Sequence, residues 1–92
     1  MSKVKTIFYG ALVNVTGEKE VEVEASTLKE ALDGFTARWG NRFKAKLLDA
    51  AGNLKRFINI YVNGKDVRFL NYLDTVLEDE DEVLIILAVS GG

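Results

Sequence analysis

A chain of 92 residues with 12 basic and 14 acidic side chains, and with no Cys, His or Pro, reads as one domain of net charge −2; folding at this length buries roughly 60–65% of the unfolded surface, enough for one modest core but not for a deep enclosed active site. The absence of Cys and His excludes disulfides, the usual zinc sites, thiolate nucleophiles and the commonest general base. Scattered, nearly balanced charge argues against nucleic acid as a partner, no apolar run approaches the roughly 20 residues of a membrane span, and the first five residues lack the apolar stretch of a signal peptide, so the cytoplasm is the expected location.

Residues 4–9, rich in β-branched and aromatic side chains, are the first strand candidate. Gly17 marks the turn region before a second strand over residues 20–25, where Val21 and Val23 alternate with glutamates at the period of a half-buried strand. These two strands are expected to pair as an antiparallel hairpin. Thr27-Leu28-Lys29-Glu30 fits a capping box, with Thr27 as N-cap and Glu30 at the third helical position. Leu28, Ala31, Leu32, Phe35 and Trp39 then share one helical face, and Gly40 terminates the helix. A shorter helix is expected over about residues 42–48, with Phe43 and Leu47 four apart.

After a loop at residues 51–53, residues 57–62 form a strand with Ile58, Ile60 and Val62 on one face. Asn63-Gly64 signals a tight turn, and residues 65–69 are expected to return as a short strand. Residues 70–77 carry no clear pattern, and residues 78–82, all acidic, read as a polar turn. Five consecutive acids lack the spaced ligands of a calcium loop, so a solvated turn is the expectation and no metal site is assigned. Residues 83–89 are apolar throughout, as in a strand central to a sheet. The order ββα(α)βββ makes an α+β domain with helices on one face of the sheet. Residues 1–89 are expected to form the domain and residues 90–92 a flexible tail.

Residues 56–69 (Arg56-Phe57-Ile58-Asn59-Ile60-Tyr61-Val62-Asn63-Gly64-Lys65-Asp66-Val67-Arg68-Phe69), then Asp81-Glu82-Val83, the apolar strand and Ala88-Val89-Ser90-Gly91-Gly92 resemble the ubiquitin-like β-grasp sulfur carriers of the MoaD/ThiS group. Within that group they look most similar to CysO-type carriers and to the archaeal ubiquitin-like small modifier proteins. The resemblance implies a mixed four- or five-stranded sheet with one main and one short helix. It also implies that the working group is the carboxylate of Gly92. A ubiquitin-activating-like enzyme of the MoeB/ThiF type adenylates it with ATP, and sulfur replaces the adenylate to give a thiocarboxylate. A second enzyme, or a large subunit, accepts that sulfur for molybdopterin, cysteine, thiamin or thiolated-tRNA synthesis. The alternative is conjugation of Gly92 to target lysines, with a desampylating-type metalloprotease as a further partner. The chain itself then binds no cofactor and needs no catalytic side chain.

The sequence suits such a tail. Gly91 and Gly92 carry no side chain to clash in a narrow active site and allow backbone angles closed to other residues, while Ser90 and Val89 link them to the last strand. Two positions depart from the group: Glu80 stands where Gly is usual, which implies either a changed turn or an unfavourable backbone angle, and Leu87-Ala88 stand where many members have Pro, which implies a less stiff tail. Strand parity further places Leu84, Ile86, Ala88, Ile7, Tyr9, Phe57 and Tyr61 on the open sheet face, an apolar patch expected to bind partner enzymes.

Overall fold

The computed structural model describes residues 2–87. Five strands form one mixed sheet in the order β2-β1-β5-β3-β4. They are β1 (Ser2–Gly10), β2 (Glu20–Ala25), β3 (Ile58–Val62), β4 (Lys65–Asp66) and β5 (Glu82–Leu87). β1 pairs antiparallel with β2 and parallel with β5, and β3 pairs antiparallel with β4 and β5. The apolar last strand is therefore central: both of its edges are paired, one face turns Val83 and Ile85 into the core, and the other lies on the open side of the sheet.

Alternation decides the two faces. Val4, Thr6 and Phe8 of β1, Ile58, Ile60 and Val62 of β3, and Val83 and Ile85 of β5 are buried on the inner side. Helix α2 (Leu28–Trp39) lays Leu28, Ala31, Leu32 and Phe35 on that side, and α3 (Asn41–Leu47) adds Phe43 and Leu47. Phe8, Phe35, Trp39 and Phe43 meet in one aromatic cluster, with centroids 5.4–5.9 Å apart, four of the six pairs edge-to-face. Thr6 Oγ1 is buried in this core with no hydrogen-bond partner among the described residues.

The α2 cap forms as expected on one side: Glu30 N–H donates to Thr27 Oγ1 at 3.2 Å. Its return bond is displaced by one residue, since Glu30 Oε1 accepts from the Ser26 amide at 2.7 Å. β1 and β2 pair antiparallel as expected, but one element was not foreseen and one expectation needs correction. The link between β1 and β2 contains a one-turn helix, α1 (Leu12–Thr16), closed by Gly17 in the left-handed region. Its sequence favours a strand locally, and burial of Leu12 and Thr16 overrides that preference. The return strand expected over residues 65–69 ends at Asp66. Val67–Phe69 turns into a 3-10 helix because Asp66 Oδ1 accepts the Arg68 amide at 2.9 Å and Val67 is drawn into the core. A second 3-10 turn covers Tyr72–Asp74.

Candidate functional site

Among the described residues, β5 ends at Leu87, which faces Gly10 of β1 on one side and Ile58 of β3 on the other. Gly10 has φ +71°, and a Cβ built on it lies 2.5 Å from the Leu87 carbonyl oxygen. The closing of the sheet beside Leu87 thus depends on a residue without a side chain. Gly10 was not legible as a site residue, because a glycine after a strand reads as a simple stop.

The start of β5 is fixed as firmly. Asn63 and Gly64 form the β3–β4 turn with φ of 52° and 86°. Asn63 Oδ1 accepts the Glu82 amide at 2.9 Å, and its Nδ2 donates to Asp81 Oδ1 at 2.8 Å. The acidic turn is tied to β1 as well: Asp79 Oδ1 accepts the Lys3 amide at 2.8 Å, and the Glu80 amide donates to the Lys3 carbonyl at 2.9 Å. Glu80 itself sits at φ +69°, so it carries the unfavourable angle that its substitution for Gly implies.

Across the open face, Ile7, Leu84 and Tyr61 stand side by side on β1, β5 and β3. Tyr9, Ile86 and Asn59 make the next row toward the end of β5. Ile7, Leu84, Ile86 and Tyr61 are half-buried. Tyr9 is 51% and Phe57, one residue before β3, 49% exposed. The structure therefore gathers Ile7, Tyr9, Leu84, Ile86 and Tyr61 on adjacent strands. Ala88, Val89, Ser90, Gly91 and Gly92, the other expected site residues, lie outside the described residues.

Charged groups border this strip. Toward the start of β5, Lys5 Nζ lies 3.9 Å from Glu20 and 4.0 Å from Glu82. At the β3–β4 edge, Arg68 Nη2 donates to the Ile58 carbonyl at 2.6 Å, while the Lys55 carbonyl and Asn59 Oδ1 lie 3.4 Å from its two terminal nitrogens. Arg68 thus takes over the hydrogen bonding that so short a β4 leaves unmade. Only its place after Asp66, a turn-forming residue, hinted at this in the sequence. Among the described residues no cluster of three or more His, Cys, Asp or Glu has metal-binding geometry, and no helix is long and apolar enough to cross a membrane.

Similarity to known proteins agrees with this geometry. The sulfur carrier protein CysO of Mycobacterium tuberculosis is 40% identical over 78 residues, which cover 83% of each chain. A chain of the Amycolatopsis orientalis BexX/CysO complex superposes with a TM-score of 0.85 at 39% identity, over 97% of this chain and 99% of that one. The small archaeal modifier protein 1 of Methanosarcina acetivorans superposes with a TM-score of 0.87 at 28% identity, over 100% of this chain and 98% of that one. These are ubiquitin-like β-grasp proteins, and this fold is the same. The family model of ThiS matches residues 6–92, from the middle of β1 through both terminal glycines, and the chain belongs to the ThiS family.

Proposed function

We propose that the protein is a sulfur carrier whose reacting group is the Gly92 carboxylate. The observation that carries this reading is the central strand β5: it is paired on both edges up to Leu87, and the family match continues from it through Gly91 and Gly92. A partner of the MoeB/ThiF type adenylates Gly92 with ATP and releases pyrophosphate. A hydrosulfide-level donor then displaces AMP: the bond from the carbonyl carbon to the phosphate oxygen breaks, a carbon–sulfur bond forms, and a thiocarboxylate results. Its sulfur attacks an electrophilic carbon of the acceptor held by a second enzyme, and as that carbon–sulfur bond forms the bond to the acceptor's leaving group breaks. Hydrolysis of the resulting acyl–sulfur bond leaves the sulfur on the acceptor and returns Gly92 to a carboxylate.

The chain is the substrate in each step and supplies no catalytic side chain. The strip of Ile7, Leu84, Tyr61, Tyr9 and Ile86 seats the partner, with Phe57 at its margin. Cysteine synthesis is the favoured destination, because the 40%-identical relative is a CysO sulfur carrier. Because activation consumes ATP, the cytoplasm is where the carrier works. A second reading, conjugation to lysines, draws on the likeness to an archaeal modifier protein and uses the same adenylate.

Intact-mass spectrometry tests the proposal. Incubation with ATP, the adenylating enzyme and a sulfide donor should exchange one oxygen of the C-terminal peptide for sulfur. Deleting Gly92 should abolish that exchange and leave the melting temperature unchanged. Exchange that persists in the truncated chain would overturn the assignment. Because the chain has no Lys or Arg beyond Arg68, lysines of cellular proteins that carry residues 69–92 as an isopeptide-linked remnant after tryptic digestion would establish the second reading.

A further inference from the structure

Basic side chains are concentrated in one segment. Residues 38–56 hold six of them against one acid, whereas the rest of the chain holds six against thirteen. Arg38 pairs with Glu18. Arg42, Lys44, Lys46 and Arg56 are exposed and make no ion pair among the described residues.

The fold brings these four to the end of the molecule where β5 finishes. Lys55 Nζ donates to the Ala45 carbonyl at 2.7 Å, which ties α3 to the segment leading into β3. The first residue of β3, Ile58, faces Leu87. Arg42, the second residue of α3, follows Trp39 by three positions, and the Trp39 ring packs on Phe8 of β1. Negative charge collects at the other end: β5 begins in the acidic turn, where Asp79, Glu80 and Glu82 share a groove with Glu22, Glu24, Lys3 and Lys5. Charge is thus separated along the β5 axis, positive where the strand points and negative behind it.

We infer that the exposed face of α3, together with Arg56, docks on an acidic protein surface surrounding the active site that takes up the C-terminus; the inference rests on the carrier reading. With a net charge of −2, the molecule as a whole is repelled by an acidic partner. The separated charges turn it basic end first, so that the end of β5 at Leu87 leads the approach. Fields fade over about 8 Å at physiological salt, so the nearer end decides the orientation. An acidic protein fits better than a nucleic acid, because four free cations beside Asp49 on an acidic molecule make no phosphate-tracking groove.

The experiment measures steady-state adenylation of the full-length carrier by the MoeB/ThiF-type enzyme of the same genome. Arg42→Glu combined with Arg56→Glu should lower kcat/KM roughly tenfold with kcat unchanged, and the difference should shrink as salt rises. Lys44→Gln with Lys46→Gln removes charge without reversing it in the last turn of α3, and should give a smaller loss of the same kind. Glu22→Gln with Glu24→Gln should leave kcat/KM unchanged. Wild-type kcat/KM in both basic-face variants overturns the docking face and leaves the carrier reading intact. So does unchanged adenylation alongside loss of transfer-RNA binding in a gel-shift assay, which marks a nucleic-acid face. A wild-type chain that is never adenylated overturns the carrier reading, and the docking face with it.

Discussion

Single residues set the geometry at both ends of β5. At its start, Glu80 holds φ +69° with an exposed side chain that makes no hydrogen bond among the described residues. A left-handed angle costs an L-residue about 1–2 kcal/mol, partly offset because Gly loses more chain entropy on folding. Glu80→Gly should therefore raise stability by about 0.5–1 kcal/mol in urea unfolding. Glu80→Gln keeps the Cβ and removes only the charge, so it should gain less; an equal gain would assign the effect to repulsion within residues 78–82. At the other end, Gly10 has no such freedom. Its backbone angle is again left-handed, and a Cβ would meet the Leu87 carbonyl oxygen. Gly10→Val should cost about 2 kcal/mol or more and lower the adenylation rate beyond the loss of folded protein, because the end of β5 must move. Unchanged stability and rate would show that β1 and β5 separate there without consequence.

At the scale of elements, what the sequence revealed follows how local the decisive interactions are. The alternation in β2, the Thr27 cap and the Asn63-Gly64 turn depend on neighbours within four residues, and all three are legible from the sequence. Helix α1 depends on burial against partners far along the chain, and the early end of β4 joins the local Asp66–Arg68 bond to the distant burial of Val67; both escaped it. The open-face strip lies between these cases: parity gave its membership, but only the register set Ile7 beside Leu84 and Leu84 beside Tyr61. Arg68 shows what long-range completion contributes. Its guanidinium bonds the Ile58 carbonyl at 2.6 Å where β4 no longer reaches, and Asp66 lies 3.7 Å away. Arg68→Met retains the aliphatic stem and leaves that carbonyl without its charged donor, so it should cost about 1.5–3 kcal/mol. Hydrogen exchange should locate the loss, with faster exchange of the β3 amides and little change in α2. A uniform change across both would mean that Arg68 stabilises the whole domain rather than this edge.

At the scale of the whole molecule, packing is concentrated in one core. One cluster holds the body together: Phe8 from the central part of the sheet meets Phe35 and Trp39 of α2 and Phe43 of α3, with centroids within 5.9 Å. Phe8 is 1% exposed and faces Ile85 of β5 across the sheet. Replacing it with Ala removes contacts to both helices and opens a cavity beside β5, at a cost of about 3–5 kcal/mol. Domains of this size have only about 5–10 kcal/mol to lose. Trp39 is the sole tryptophan and lies in the cluster, so its fluorescence reports the same packing. If the domain unfolds as one unit, fluorescence and far-ultraviolet circular dichroism should give a single coincident transition, shifted to much lower urea in Phe8→Ala. In the carrier reading, adenylation of Phe8→Ala should then fall in proportion to its folded fraction, because the terminal carboxylate is chemically untouched and only the body that presents it is lost. Full adenylation of a largely unfolded variant would show that the partner recognises the terminal residues alone, and that the open sheet face takes no part in seating the carrier.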